Sequence, residues 1–258
     1  MRNLSIPALI LNIQASGESN RRVTLFSPEE GIIQATLYGG PKSRLRSLVS
    51  PMNCGQLYLY RDEAKNQTKI TDFDVKNYHL SFRENLFKTW AAAFAAEILI
   101  KTKAAGSYKD SWILINAFLD GLELTDENTG RLGLIRFLWR YLGLLGVRPD
   151  TRSCCVCGCS LHSQKFTEDS LSLSYAYSFM DNGFVCSDCI PSGKKADCLL
   201  SKAALTYLEA VSSLSPGQVR KISVSGKTLL EMKQLVYHLI ERNCESKLNS
   251  LESGIGIL

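Results

Sequence analysis

The sequence has few of the groups on which enzyme catalysis usually depends. Its 258 residues include three histidines, His79, His162 and His238, whose scattered positions form no acid–base pair by spacing. A G-x-x-x-x-G-K-[ST] segment is absent, which excludes a phosphate loop of the P-loop type and argues against ATP use. The sequence also lacks internal repeats and low-complexity tracts. These absences favour a binding protein over a nucleotide-driven enzyme.

Long apolar runs are missing as well. No segment approaches the roughly 20 apolar residues that a transmembrane helix needs. The N-terminal stretch has one basic residue and a short apolar run that Pro7 and Asn12 interrupt, so we do not expect a signal peptide. The content of 45% hydrophobic and 21% charged residues is ordinary for a soluble globular protein.

The net charge of +5 is modest, and its distribution says more than its size. Residues 1–80 contain ten Lys or Arg against seven Asp or Glu, whereas the remainder is close to balanced. A mild basic excess in one N-terminal domain is compatible with an anionic partner.

The first 80 residues show the patterns of short β-strands. Five runs rich in β-branched, aromatic and Leu residues alternate with segments of turn-forming residues. Five strands at near-regular spacing favour a five-stranded OB-type β-barrel, with an SH3-like barrel or another small sheet as the alternative. The runs are IPALILNI, RRVTLF, IIQATLY, GQLYLY and TKITDFDV.

From Ser81 the apolar residues recur at helical spacing. Three such segments precede a cysteine-rich segment and two follow it, and the terminal NSLESGIGIL is expected to be frayed. We therefore predict an α+β multidomain protein, in which an N-terminal OB-type barrel is followed by a helical domain with an inserted four-cysteine zinc module. The predicted boundaries are 1–80 for the barrel, 81–150 and 196–258 for the two helical parts, and 151–195 for the zinc module.

Nine cysteines, four of them in two C-x-x-C pairs, are typical of metal binding in a reducing cytosol rather than of a secreted disulfide framework. Each pair can bring two thiolates to one side of a metal, and two pairs complete a tetrahedral site without an open coordination position. Such a site stabilises the fold and does not catalyse. The spacing favours zinc held by Cys154, Cys157, Cys186 and Cys189.

Other ligand sets remain open at this point. Cys155 and Cys159 offer further thiolates, and His162 can replace one of them. A redox role for the C-x-x-C pairs is disfavoured because no thioredoxin-like βαβ pattern surrounds them. The segment SLSLSYAYSFMDNGF between the pairs is expected to form an extended hairpin.

The segment YGGPKSRLRS is the predicted nucleic-acid surface. In an extended chain Lys42, Arg44 and Arg46 point the same way, with Leu45 opposite. Aligned cations suit a phosphate backbone, and Tyr58 and Tyr60 can stack on bases if they lie outward. Further cations that extend this surface are Arg21, Arg22, Lys65 and Lys69.

Two rival functions follow from other features. Asp72 and Asp74 are alternate carboxylates that can hold Mg²⁺ in a nuclease, although the solvent face of a strand explains them as well. A zinc-ribbon adaptor that binds only proteins, for instance in transcription, is the second rival. It predicts that the basic residues of the barrel are dispensable.

The order of four motifs resembles the bacterial DNA repair and recombination protein RecO family. SGESNRRVTLFSPEEG resembles the first hairpin of that family, YGGPKSRLRSLVSPM its basic segment and LLGVRPDTRSCCVCG its helix-to-zinc junction. NGFVCSDC resembles the second zinc knuckle, where the family commonly has Gly-Gly and this chain has Asn182-Gly183. The resemblance covers most of the chain.

The resemblance implies a non-enzymatic role in a cytoplasmic, nucleoid-associated protein. The implied activities are binding of single- and double-stranded DNA, annealing of complementary strands and assistance in loading RecA onto strands coated by SSB. The implied partners are RecR and the acidic, apolar C-terminal tail of SSB, for which Arg136 and Arg140 are the expected contacts.

Overall fold

The structure is a computed structural model, and it describes residues 2–40, 43–162, 174–190, 198–244 and 246–258. The chain divides into two compact units, Met1–Leu134 with Ser246–Leu258, and Ile135–Glu245. The four-part division predicted from the sequence is a different partition and stays a prediction.

The N-terminal part of the first unit is a closed barrel of five strands in the order β1-β2-β3-β5-β4. All neighbours are antiparallel except β3 and β5, which pair in parallel through Thr36 and Lys69. This is the strand order of the OB fold, so the predicted fold class is confirmed. The strands are β1 (Arg2–Ser16), β2 (Asn20–Ser27), β3 (Gly31–Leu37), β4 (Cys54–Asp62) and β5 (Gln67–Asn77).

Alternating burial along the strands builds the barrel core. Side chains of successive strand residues point to opposite faces, so every second residue enters the core. In β2, Val23 and Leu25 are fully buried while Arg22 is exposed. The inward set contributed by the five strands includes Ile6, Ala8, Ile10, Val23, Leu25, Ala35, Leu37, Leu57, Leu59, Ile70 and Phe73.

The basic segment after β3 differs from the prediction. Residues Arg44–Leu48 form a short helix, α1, instead of an extended chain. The reason is a second pattern in the same residues: Leu45, Leu48 and Val49 are spaced i, i+3, i+4, and all three pack in or against the barrel core. At 100° per residue, Arg44 and Arg46 lie on nearly opposite sides of the helix, so their charges are not aligned.

Two helices complete the first half of the chain, α2 (Leu86–Lys101) and α3 (Tyr108–Leu124). Asn85 caps α2 by accepting from the Lys88 N–H, and Ser107 caps α3 by accepting from the Asp110 N–H. The barrel packs on α3 at the β2–β3 hairpin. There Phe26 and Trp112 have ring centroids 5.9 Å apart. A Cβ on Gly31 would lie 2.6 Å from the Tyr108 ring, so only glycine fits under that ring.

The C-terminal tail is ordered, so the prediction of a frayed tail is wrong. It forms a short helix, α8 (Asn249–Ser253), and Leu258 is buried. The Glu97 carboxylate on α2 accepts hydrogen bonds from the N–H groups of Asn249 and Ser250, at 2.9 and 2.8 Å, and from the Ser250 hydroxyl. One carboxylate thus satisfies two backbone donors at the start of α8.

The second unit contains a three-stranded sheet and further helices. The sheet has the order β7-β6-β8, and the unit begins within helix α4. None of the helices among the described residues is long and apolar enough to cross a membrane. The elements are α4 (Glu127–Leu144), β6 (Ser174–Ser178), β7 (Gly183–Val185), β8 (Cys198–Ser201), α5 (Lys202–Ser213), α6 (Pro216–Val219) and α7 (Gly226–Asn243).

Replacing Glu97 by Gln is expected to loosen the C-terminal tail. Burial raises the pKa of the Glu97 carboxyl, but the hydrogen bonds from Ser250 and Asn249 outweigh it, and the net pKa is lowered. A lowered pKa in the folded state stabilises the fold at neutral pH, and this stabilisation is lost as pH falls below the ordinary value of 4.5. We expect Glu97→Gln to cost about 1–2 kcal/mol at pH 7 in thermal unfolding, with a smaller difference at pH 4.

Glu252→Gln is the matched control, because Glu252 lies on α8 and its side chain makes an exposed ion pair with Lys247 instead of bonds to backbone among the described residues. An equal loss in both variants, or a Glu97→Gln effect independent of pH, would contradict the role assigned to the Glu97 carboxylate.

Candidate metal centre and nucleic-acid interface

The first cysteine pair sits on a tight turn held by backbone hydrogen bonds. The Cys154 N–H donates to the Cys159 carbonyl at 2.9 Å, and the Gly158 N–H donates to the Cys154 carbonyl at 2.9 Å. Gly158 has φ +72°, a left-handed conformation that favours glycine. The second pair closes in the same way, with the Cys189 N–H donating to the Cys186 carbonyl at 3.1 Å.

The two turns bring four thiols together. The sulfur atoms of Cys154, Cys157, Cys186 and Cys189 all lie within 4.8 Å of one another. The Cys157 and Cys186 sulfurs are 3.7 Å apart. A tetrahedral ion with bonds of about 2.3 Å to sulfur requires edges of about 3.8 Å, so the spacing is compatible with a metal site. The hairpin expected between the pairs is present as β6 and β7, although residues 163–173 lie outside the described part of the chain.

The electrostatics of the four thiols are compatible with a bound cation. The backbone N–H of Cys159 is the largest influence that lowers the pKa of Cys157 to about 6. Burial raises the pKa of Cys154, but hydrogen bonds from backbone N–H groups, including those of Cys157 and Cys186, lower it by more. The net pKa of Cys154 is therefore below the ordinary value for a thiol. Cys189 has a raised pKa because its thiol shares hydrogen bonds with Cys157 and Cys186. Four thiolates at this spacing repel one another, and a bound cation removes that repulsion.

Packing explains why Cys154 and not its neighbour joins the cluster. The Cys155 N–H donates to the Phe184 carbonyl at 2.8 Å, which fixes this residue against β7. A Cβ on Gly183 would lie 2.6 Å from the Cys155 Cβ, so the Cys155 side chain rests on bare glycine backbone. Cys154 is 3% exposed, and its sulfur accepts from the Cys186 N–H at 3.4 Å. Among the described residues the cluster includes neither Cys155, Cys159 nor His162.

Asn182 takes the place where the resembled family commonly has glycine. Its φ is +50°, in the left-handed region that asparagine tolerates better than most residues. Its side-chain oxygen accepts from the Tyr177 hydroxyl at 2.5 Å, which holds the turn in place. Of the two positions, only the second must be glycine for the Cys155 side chain to pack, and this chain has Gly183 there.

The outer surface of the barrel aligns residues from four strands. Arg22 pairs with Thr36, Thr36 with Lys69, and Lys69 with Tyr60. We call these four residues the outer row. All face outward, because directly opposed residues share one face of a sheet and their chain neighbours are in the core. Those core neighbours are Val23, Leu37, Ile70 and Leu59.

The other cations that the sequence predicted to bind DNA are not part of the outer row. Arg21 is half-buried and, as the strand neighbour of Arg22, points to the opposite face. Lys65 is exposed in the β4–β5 turn. Arg44 and Arg46 lie on α1, as described above, and Lys42 lies outside the described residues.

The outward tyrosines of the barrel lie in two regions, one beside the carboxylates of β5 and one beside Lys69. Tyr58 lies outward and is 40% exposed, directly opposite the exposed Asp72 on β5, with Asp74 further along the same face. Tyr60 belongs to the outer row. Tyr38, which follows β3, has its ring centroid 5.2 Å from the Lys69 Nζ. The sequence-based prediction missed Tyr38, although its position two residues after the outward Thr36 places it on the same face.

The two arginines predicted to contact a partner lie on α4 in the second unit. Arg140 donates to the carbonyls of Val211 and Leu214 at the end of α5, at 3.3 and 3.4 Å. Burial is the main cause that lowers the pKa of Arg136 and of Arg140, and the charge of Arg220 lowers both further. Within the described ranges no carboxylate lies within 4.0 Å of these three guanidinium groups, which we call the arginine cluster.

An OB-type barrel, helices and a four-cysteine cluster able to hold a metal define the class of the protein. It is a multidomain α+β protein that carries a barrel of the kind used to bind oligonucleotides and oligosaccharides. Two family models match the chain: "Recombination protein O N terminal" over residues 1–78 and "Recombination protein O C terminal" over residues 83–252. The chain belongs to the Recombination protein O (RecO) family.

Individual relatives agree with this assignment. The DNA repair protein RecO of Desulforamulus reducens is 23% identical over 254 residues, which cover 98% of this chain and 94% of the relative. The DNA repair proteins RecO of Bacillus pumilus and Bacillus subtilis are each 26% identical, over 89% and 88% of this chain and 85% and 84% of their own lengths. Membership of this family supports a role in DNA repair and recombination.

Proposed function

We propose that this protein is a non-enzymatic recombination mediator that binds single- and double-stranded DNA through the outer row of its barrel. The observation that carries the proposal is the alignment of Arg22 and Lys69 with Tyr60 across four strands. The row lies near the start of β2 and of β5, next to the β1–β2 and β4–β5 turns. OB folds bind oligonucleotides at these turns and on this face.

The chemistry of the outer row suits a nucleic-acid backbone rather than a base sequence. Two cations attract phosphates, and contacts to phosphates carry no sequence information. An aromatic side chain offers its face to any base. The carboxylates of Asp72 and Asp74 lie further along β5, where they repel phosphates and confine binding to the basic region.

Binding through the backbone also supports strand annealing. A strand held by its phosphates keeps its base edges free to pair with a complementary strand. We propose that the protein anneals strands in this way and, with RecR and SSB, assists RecA loading, as the family resemblance implies. Family membership is the support for these partners.

We further propose that the four-cysteine cluster holds zinc. A tetrahedral set of four thiolates is typical of structural zinc, for which Cys154, Cys157, Cys186 and Cys189 are the ligands. With all four positions taken by protein, zinc would supply folding stability and no catalysis.

The arginine cluster is the proposed site for the SSB tail. Arg136 and Arg140 are half-buried and Arg220 is exposed, and within the described residues none of the three has a carboxylate partner. The two half-buried charges attract an anion strongly, because the surrounding protein screens them less than water does. Two exposed apolar side chains offer contacts for an apolar residue: Leu214, whose carbonyl accepts from Arg140, and Ile222, two residues after Arg220 in the chain. An acidic, apolar peptide end matches both features.

Removal of the cations of the outer row is expected to weaken DNA binding. We predict that Arg22→Ala/Lys69→Ala lowers affinity for single and double strands several-fold and slows annealing. The slope of log K against log salt should fall by about 0.7 for each lost contact to single-stranded DNA. Fluorescence anisotropy over a salt series measures both quantities.

Lys76→Ala is the matched control, because Lys76 is exposed on the same face of β5 beyond the acidic residues. Unchanged binding in the double variant, or a wild-type protein that does not bind DNA, would refute the proposal and favour the protein-binding adaptor. Metal-dependent DNA cleavage that Asp72→Asn/Asp74→Asn abolishes would favour the nuclease.

The zinc proposal predicts different effects for two adjacent cysteines. Cys154→Ser removes a buried ligand and is expected to lose most of the bound zinc and to lower the thermal midpoint. Cys155→Ser should keep about one zinc per chain, because its side chain lies outside the cluster. Metal analysis of the purified proteins measures the content. Equal zinc content in both variants would contradict the assignment.

The tail proposal predicts that Arg140→Ala weakens binding of a synthetic peptide with the acidic, apolar SSB tail about tenfold, since one buried charged contact is lost. Amidation of the C-terminal carboxylate of the peptide should weaken wild-type binding similarly. Lys227→Ala, an exposed cation at the start of α7, is the control. Isothermal titration calorimetry tests this, and equal affinities for wild type and Arg140→Ala would refute it.

A further inference from the structure

Tyr38 occupies a position on the barrel that the proposed DNA binding does not yet use. It follows the last residue of β3, Leu37, which is buried in the core, so strand alternation directs Tyr38 outward. The ring is 41% exposed, and it stands beside the cationic side of the outer row. An exposed aromatic ring next to a cation is suited to stacking on a nucleobase.

The Tyr38 ring is held in position before any ligand binds. The Gln67 side-chain amide donates to the Tyr38 hydroxyl at 2.5 Å, and the Lys69 ammonium lies 5.2 Å from the ring centroid. Both partners come from the first residues of β5, which pairs with β3. A ring with a fixed orientation loses little conformational entropy when it stacks on a ligand.

The two glycines that follow Tyr38 are exposed and carry no side chain. Among the described residues, and apart from its chain neighbours, a Cβ placed on Gly40 would have no heavy atom within 4 Å, whereas one on Gly39 would lie 3.3 Å from the Ser43 Cβ. The described residues therefore leave room for a planar group next to Gly40.

Charge separates Tyr38 from Tyr58, a tyrosine of nearly equal exposure within strand β4. Tyr58 lies directly opposite Asp72, whose carboxylate repels the phosphates that flank a stacked base. Tyr38 has Lys69 beside it, and Arg22 lies across Thr36 in the same row. A base on Tyr38 thus places its adjacent phosphates near cations, whereas a base on Tyr58 lies directly opposite a carboxylate.

We infer that Tyr38 is a residue with which the barrel distinguishes single-stranded from double-stranded DNA, by stacking on one unpaired base in addition to any base that contacts Tyr60. This inference rests on the proposed binding of DNA to the outer row. Stacking needs a free base face, and the bases of a duplex already stack on both faces. The cations contact the phosphates of either form, so they add affinity without choosing between them.

The test compares Tyr38→Ala, Tyr38→Phe and Tyr58→Ala with wild type. Anisotropy titrations use an oligothymidine and a duplex of equal length at one salt concentration. Tyr38→Ala is expected to weaken single-strand binding about tenfold and duplex binding by less than twofold, since one stacked base contributes about that factor. Its salt slope should equal that of wild type, because no charge is removed. Tyr38→Phe keeps the ring and Tyr58→Ala lacks the cationic setting, so both should bind both substrates as wild type does.

A second measurement detects stacking directly. Tyr38→Trp introduces an indole whose fluorescence the oligothymidine should quench and the duplex should not, above the constant background of the three native tryptophans. Equal thermal midpoints of all variants show that the fold is intact.

The outcomes separate this inference from the proposed function. Wild type that binds both DNA forms while Tyr38→Ala binds normally, or loses affinity for both forms equally, overturns the role of Tyr38 alone. Tyr38→Phe that behaves as Tyr38→Ala points to the Gln67 hydrogen bond and also overturns stacking. Wild type that binds neither DNA form overturns the proposed function and this inference together.

Discussion

The parallel pairing of β3 with β5 is the contact on which the proposed nucleic-acid surface depends. Thr36 and Lys69 are distant in the chain, and their pairing closes the barrel. Closure places Arg22 on one side of this pair and Tyr60 on the other. Without it the barrel would be an open sheet with β3 and β5 as its edges, and Arg22 on β2 would lie at the other end of the sheet from Lys69 on β5. Burial of the hydrophobic core supplies the free energy of folding, and strand register determines which polar side chains are neighbours on the surface.

A comparable constraint governs the cysteine cluster, where close packing determines which four thiols lie together. With Cys155 and Cys159 the two turns offer six thiols, and a tetrahedral ion takes four. The backbone bond from Cys155 to Phe184 and the bare backbone of Gly183 direct that thiol to β7, which leaves Cys154 facing the second turn. The same hairpin needs a left-handed residue next to Gly183, and Asn182 supplies it with a hydrogen bond to Tyr177. Gly183 thus helps to determine which thiols belong to the cluster, although it is not part of the cluster itself.

In each of the two units, a single side chain makes hydrogen bonds to the unpaired backbone groups at the end of a helix. Glu97 accepts from two N–H groups of α8, and Arg140 donates to carbonyls at the end of α5. The first interaction is complete within the protein, since Lys101 neutralises the carboxylate at 3.3 Å. The second leaves a positive charge without an acidic partner among the described residues, which is why we assign a ligand to the arginine cluster and none to Glu97.

The local patterns could be predicted from the amino-acid order alone: five strands in the barrel, helical periodicity from residue 81 and two C-x-x-C turns. These depend on near neighbours, because strand alternation, helix period and turn chemistry are set within a few residues. The order of motifs along the chain also led to the family. Long-range packing, by contrast, settled which predicted cations share a surface, that α1 turns Arg44 away from Arg46, that the tail docks on Glu97 and that Tyr38 stands beside Lys69. These outcomes depend on register and packing between distant segments, where a shift of one residue moves every side chain to the other face.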